Sequence, residues 1–266
     1  MVTTSSSNVP RESHQQQQQQ QRSTQSYGYH RNTHTSRPPQ SVPAPRTFSQ
    51  ISSPEIPNSI FFASDFMIGA GMAIIQPSTG KVVVLYESRR GYWFLPKGRK
   101  DIGETIEHAA LREAYEESGY RAGFLPLYIP TNAPAAPGSP NYPSRHVLNT
   151  EPVYISTRSW GPRRRRRHPA PGDDNGGEYF TFWYVGQIPE DAVHEDNTGM
   201  PDEQNYTSHL LGLNEALDKL YSTGGTVEAN VLKIAYQCWQ YTEEILTREA
   251  TRVSDPSQST TESQGA

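Results

Sequence analysis

No apolar period of either kind runs through the first 57 residues of this 266-residue chain. They hold the serines Ser5–Ser7, the glutamine run Gln15–Gln21 and a proline-rich stretch from Pro38 to Pro57. A segment of this composition cannot bury enough apolar surface to offset the entropy of ordering it. Residues 1–57 are therefore expected to form a disordered tail, and any fold must be built from the residues after them. With hydrophobic residues at 33% and mean hydropathy at -0.76, the chain is too polar to fold end to end. The expectation is one domain at 58–250, a Pro/Arg-rich insertion within it at about 130–177, and a second polar tail at 251–266.

Inside the domain, apolar periodicity sets the elements. Phe66–Gln76 and Lys81–Ser88, joined by the turn Pro77-Ser78-Thr79-Gly80, read as a hairpin. Tyr92–Pro96 reads as a short strand. A helix is predicted from about Thr105 to Ser118, with Thr105 as N-cap, Glu107 in the first turn and Gly119 at the C′ position. Further strands are predicted near Tyr120–Ile129, at Pro152–Ser159 and at Glu178–Ile188. The segment HLLGLNEALDKLY gives a strand and a helix, and a last helix runs from about Val227 to Arg248.

Charge and cysteine usage narrow the function classes. A formal net charge of -4 excludes a uniformly basic nucleic-acid coat, although Arg163–Arg167 is a local basic run. One cysteine, Cys238, excludes an intramolecular disulfide framework. The longest apolar stretch, Phe66–Ile75, is too short to span a bilayer, and the first residues lack the apolar core of a signal peptide. The expectation is a protein without a membrane partner, placed in the cytoplasm, the nucleus or both.

The segment Gly98–Tyr120 carries the chemistry. Glu113, Glu116 and Glu117 are three and four residues apart, so a helix sets their carboxylates on one face. Like charges packed this way repel, and three together suggest a compensating cation. Carboxylate oxygens suit Mg2+ or Mn2+. Arg112 and Glu104 offer a layer behind them that orients the acids. The loop Pro96-Lys97-Gly98-Arg99-Lys100 lies just before, so the whole describes a site for a metal-bound polyphosphate. The competing reading is a solvated acidic helix face.

This stretch resembles the Nudix box, G-x5-E-x7-R-E-U-x-E-E-x-G-U, where U is a bulky aliphatic. Gly98, Glu104, Arg112, Glu113, Glu116, Glu117 and Gly119 fill the fixed positions; Ala114 and Tyr120 stand where the pattern has aliphatics. The box spans under a tenth of the chain. The resemblance implies an α/β/α sandwich around a mixed sheet and a Mg2+-dependent hydrolase of a diphosphate linkage. It implies that Glu113 and Glu117 bind the cation, that Glu116 binds metal or acts as base, and that Arg112 orients the acids. It also implies a metal-facing carbonyl from the Lys97-Gly98 loop, and a late-loop acid for which Glu203, then Asp202, are the candidates.

Ser88, Arg89 and Arg90 precede Trp93, Pro96 and Gly98 in an arrangement similar to diphosphoinositol polyphosphate and diadenosine polyphosphate phosphohydrolases. Here Lys97 replaces a common glycine. With Arg99 and Lys100 nearby, these residues are the expected contacts of a highly phosphorylated small-molecule substrate. Two alternatives stay open: a noncatalytic Nudix module that binds nucleotide, inositol phosphate or RNA, and an mRNA-decapping type of hydrolase. Nothing in the sequence sets the oligomeric state.

Overall fold

A computed structural model of the chain describes residues 60–254 except 135–136, 139–146, 162–175 and 202. The expected N-terminal tail, the C-terminal tail from 255 onward and the Arg163–Arg167 run lie outside the described residues. In chain order the elements are β1 (Phe66–Gln76), β2 (Lys81–Glu87), β3 (Tyr92–Phe94), β4 (Lys97–Arg99), α1 (Ile106–Ser118), β5 (Gly123–Phe124) and β6 (Leu127–Tyr128). They continue with β7 (Leu148–Asn149), β8 (Tyr154–Trp160), β9 (Gly177–Gln187), β10 (Tyr206–Gly212), α2 (Leu213–Ser222) and α3 (Thr226–Ser254).

The long strand β1 organises the sheet. One edge runs parallel to β9, from Phe66 opposite Glu178 to Ile75 opposite Gln187. The other edge serves two partners in turn. Near the hairpin turn it pairs antiparallel with β2, Ile74 opposite Val83. Farther back it pairs with β4, Ala70 opposite Gly98. Where β1 and β2 part, β2 pairs with β3 instead, Leu85 opposite Phe94. The chain thus descends through β3 and β4 into the opening between β1 and β2, which delivers Lys97 and Gly98 to the middle of the sheet. Strand β10 covers the outer edge of β2, β8 and β5 flank β9, and β6 and β7 form a separate pair.

Alternation along the strands sorts the core into two layers. Ala73, Ile75, Val82, Val84, Trp183 and Val185 face Leu220 of α2 and Ala229, Leu232 and Ala235 of α3. Met72, Ile74, Val83, Leu85 and Tyr184 face Ala109, Ala110 and Ala114 of α1. The result is the α/β/α sandwich around a mixed sheet that the box implied. Small residues on α1 let the helix sit close to the sheet, and Ala114 is fully buried there. Truncating a large buried side chain such as Leu220 to Ala is expected to cost about 2–5 kcal/mol.

Four local differences from the sequence reading have physical causes. The basic loop at 97–100 is largely strand, because β1 offers it unpaired backbone groups. The stretch near Tyr120–Ile129 splits into β5 and β6, each two residues long and each with a different partner. Leu148–Asn149 forms a short strand inside the irregular insertion. Helix α3 runs to Ser254, past the predicted end of the domain at 250. Among the described residues no helix is long and apolar enough to cross a membrane.

Candidate active site

Helix α1 is set by its ends. The Thr105 side chain accepts from the His108 N–H at 3.2 Å, and Gly119 takes φ 71 with its N–H on the Tyr115 carbonyl. Its buried face carries Ala109, Ala110, Glu113, Ala114 and Ser118. A carboxylate thus occupies one position of an otherwise small, apolar stripe. Glu113 is 6% exposed. Gly98 of β4 lies against it, and a Cβ at residue 98 would overlap the Glu113 carboxylate. That close approach accounts for glycine at this place.

One turn on, Glu117 accepts the Lys97 backbone N–H at 2.7 Å. From the other side the loop before β10 brings in Glu203. Glu113, Glu117 and Glu203 each offer a carboxylate oxygen, and these lie within 4.8 Å of one another. Burial pushes Glu113 up to about 7, with Glu116 and Glu203 adding to the rise and the Arg112 guanidinium opposing it. Burial likewise pushes Glu117 well above the usual carboxylate range, against the pull of Lys97. Three hard oxygen donors with half-desolvated, mutually repelling charges fit a divalent cation such as Mg2+ or Mn2+. Among the described residues Glu203 belongs to this cluster; Asp202 lies outside them.

Behind the trio stands a second arrangement. Arg112 donates Nε to Glu104 at 2.9 Å and Nη2 to the other Glu104 oxygen at 3.0 Å. Its Nη1 reaches Glu113 at 2.9 Å and Glu116 at 2.8 Å, and Nη2 also reaches the Arg99 carbonyl at 2.9 Å. A guanidinium has five N–H groups, and these bonds use all of them. Glu104 also accepts the Asp101 N–H at 2.9 Å and meets His108 Nδ1 at 2.9 Å. Its hydrogen bonds from Arg112 hold the Glu104 carboxyl down at about 2. Glu116 sits outside the trio, tied to Arg112.

The predicted substrate contacts separate in space. Arg90 and Lys97 line a cleft of about 630 Å³. Tyr92, Trp93, Tyr179 and Arg158 join them there, with residues 223–225 of the α2–α3 turn and 226–228 at the start of α3. Ser88 instead donates its hydroxyl to the Asn205 carbonyl at 3.1 Å. The turn containing Arg89 and Arg90 is held by Glu87, which accepts both of their N–H groups. Arg99 and Lys100 line a different hollow, beside Phe66–Ile68, although the Arg99 charge still acts on Tyr179.

The aromatic run 179–184 alternates between the two faces of β9. One of those faces is also the cleft: Tyr179, Thr181 and Trp183 line it, and Trp183 donates its indole N–H to Ser156 at 2.8 Å. Burial pushes the Tyr179 phenol up to about 12, and the charges of Glu113 and Glu117 add to the rise. Tyr179 therefore stands where the cleft meets the acids. Its alternation with Thr181 and Trp183 was the available signal.

Stretches of known proteins are similar to parts of this chain. A 47-residue stretch is 48% identical to the 8-oxo-(d)GTP phosphatase of Mycolicibacterium smegmatis, covering 18% of this chain and 15% of that protein. The match thus spans well under two thirds of the relative's length. Among solved structures, a NUDIX hydrolase from Nitrosomonas europaea aligns with TM-score 0.36 and 18% identity over 64% of this chain and 88% of that one. The mutator MutT protein of Bacillus halodurans aligns with TM-score 0.35 and 16% identity, covering 57% and 72%. The profile of the NUDIX domain matches residues 65–225, more than half of the chain, and the chain belongs to the NUDIX family.

Proposed function

We propose that this protein is a divalent-cation-dependent hydrolase that cleaves a diphosphate linkage in a phosphorylated small molecule. The observation that carries the reading is the convergence of Glu113, Glu117 and Glu203 within 4.8 Å, beside a cleft walled by Arg90, Lys97 and Arg158. Glu113, Glu117 and Glu203 would hold the cation, with the Gly98 backbone beside Glu113. A bound Mg2+ or Mn2+ neutralises phosphoryl oxygens and makes water a better nucleophile. The chain's own residues do the rest. Glu116, steered by Arg112, is the candidate base that takes a proton from water. Arg112 and Glu104 hold Glu113 and Glu116 in register. Lys97 and Arg90 bind the leaving phosphate and its charge.

The finer reading is a polyphosphorylated substrate of the diphosphoinositol polyphosphate or diadenosine polyphosphate type. Arg90, Lys97 and Arg158 favour several phosphoryl groups, and Tyr92, Trp93 and Tyr179 favour a planar or ring-shaped group beside them. A Mg2+-dependent product-release assay tests both levels. Its panel holds diphosphoinositol phosphates, diadenosine polyphosphates, nucleoside diphosphate sugars, capped RNA and, because of the relative's name, 8-oxo-dGTP. Release from the first two classes in preference to the others supports the finer reading. Release from none of them at any Mg2+ or Mn2+ concentration overturns the hydrolase itself.

A further inference from the structure

The acid trio draws two members from one helix and the third from a loop, and the loop has its own fastening. Residues 194–200 cross the C-terminal end of α1, where the last carbonyls of a helix lack intrahelical partners. Two of those carbonyls, and that of the cap residue Gly119, are met from outside. Thr198 Oγ1 donates to the Glu116 carbonyl at 2.9 Å, the Glu195 N–H donates to Gly119 at 2.9 Å, and Ser208 Oγ donates to Ser118 at 2.6 Å. Asn197, immediately before Thr198, has φ 59, so the chain turns sharply to aim that hydroxyl. Asparagine tolerates this conformation where most residues do not.

The next residue touches both partners of the fastening. At Gly199 a Cβ would meet the Glu203 Oε2 at 2.8 Å and the Glu116 carbonyl at 3.0 Å. The same Glu203 Oε2 accepts the Met200 N–H at 2.7 Å. Glu203 is therefore held to the loop by Met200, and the loop is held to the helix by Thr198, with no room for a side chain between. On its far side Glu203 leads into β10, since its carbonyl accepts the Tyr206 N–H at 3.0 Å.

We propose that the Thr198–Gly199 turn is the positioning device of the third carboxylate: the Thr198 hydroxyl docks the loop on the Glu116 carbonyl, and the bare Gly199 lets Glu203 reach Glu113 and Glu117. Thr198 and Gly199 are positioning residues that act through Glu203. This rests on the reading of the trio as a divalent-cation site. Because Thr198 is only half-buried, water replaces its hydrogen bond when the hydroxyl is removed, and the fold survives.

The test is direct Mn2+ binding to the full chain, followed through the signal of the free ion, in Thr198→Val, Thr198→Ser, Gly199→Ala, Glu203→Gln and Glu113→Gln. Thr198→Val is expected to weaken binding about tenfold, the usual scale for a group that orients a ligand. Thr198→Ser restores it. Gly199→Ala weakens it through crowding alone, since Gly199 lies outside the left-handed region. The deciding measurement is the double variant Thr198→Val with Glu203→Gln. It should bind no more weakly than Glu203→Gln alone, because both changes act on one ligand. Wild-type affinity in Thr198→Val, or a full additive loss in the double variant, overturns the positioning role. Wild-type affinity in Glu113→Gln overturns the cation site itself, and the device with it.

Discussion

Two sets of carboxylates meet on α1, and they are treated in opposite ways. Around Arg112, Glu104 has a cation of its own, a backbone N–H from Asp101 and a contact with His108, and its carboxyl is held down at about 2. Around Gly98, Glu113 and Glu117 are pushed up, Glu113 to about 7. Glu113 belongs to both sets. One of its oxygens accepts from Arg112 at 2.9 Å, and its carboxyl rises nonetheless. The first set is complete within the protein. In the second, burial disfavours the charges of Glu113 and Glu117 with Glu203 close by, an arrangement that a bound cation would relieve.

The comparison breaks most severely if the second set is dispensable. Glu117→Gln keeps size and the acceptor for the Lys97 N–H but removes the charge. Turnover on the best substrate should fall by about a hundredfold or more, the scale of a lost electrostatic contact in a transition state. In chelator the same variant should melt at a higher temperature than wild type, because a neutral side chain no longer has to ionise in a desolvated place. Activity and stability moving in opposite directions is the expected outcome. Wild-type turnover in Glu117→Gln would remove its assigned role.

Disrupting the first set should act on stability as well as on the orientation of Glu113 and Glu116. Arg112→Ala leaves Glu104 without its guanidinium and returns the exposed Arg99 carbonyl to water. Breaking a largely buried pair by deleting one partner costs about 3 kcal/mol or more. Urea midpoints in chelator should show that loss in full. Arg112→Lys should recover part of it, since an ammonium keeps the charge and loses the two-pronged contact with Glu104. An unchanged midpoint in Arg112→Ala would mean that the five hydrogen bonds contribute nothing net.

The opposite shifts also set opposite limits in pH. Glu113 is raised from 4.5 to about 7, so the folded protein holds that proton more tightly. Its contribution is fully present below about 4.5 and is lost as pH rises through about 7, a change on the order of 3 kcal/mol. Glu104 is lowered from 4.5 to about 2, so its contribution is present above 4.5 and is lost as pH falls through about 2. Thermal melts in chelator should therefore decline from pH 5 to pH 8, and 5 mM-scale Mg2+, about the level that tests a weak hard-cation site, should reverse the decline. A melting temperature that rises over that interval without metal would contradict the desolvated Glu113.

Legibility in the sequence tracks the distance along the chain over which a feature is encoded. The box, the Thr105 cap, the Gly119 stop and the faces of α1 are written within about two dozen residues, where helical geometry alone relates one position to the next. The resemblance points to Glu203, but its approach to Glu113 depends on the Thr198 fastening, which no local period encodes. Lys97–Arg99 lacks β-branched residues and pairs as β4 because β1 leaves an edge open there. Arg99 and Lys100 share the basic run with Lys97, yet they line a different hollow from it. Tyr179 and Trp183 are ordinary alternating strand residues until β8 and the α2–α3 turn close a cleft over them.

The smallest effect lies within the first set, at His108. His108 Nδ1 lies 2.9 Å from Glu104, but the histidine side chain is 71% exposed. Glu104 already has two bonds from Arg112 and one from the Asp101 N–H. An exposed partner added to a carboxylate so well supplied is screened by water and replaces bonds that water would make. His108→Ala should change stability by less than about 0.5 kcal/mol. Mn2+ affinity should not move, since Arg112 alone suffices to orient Glu113 and Glu116. Urea melts and Mn2+ binding on the one variant check both halves. A loss approaching that of Arg112→Ala would show that Glu104 is held chiefly by the histidine, and that the first set is completed by a group open to solvent.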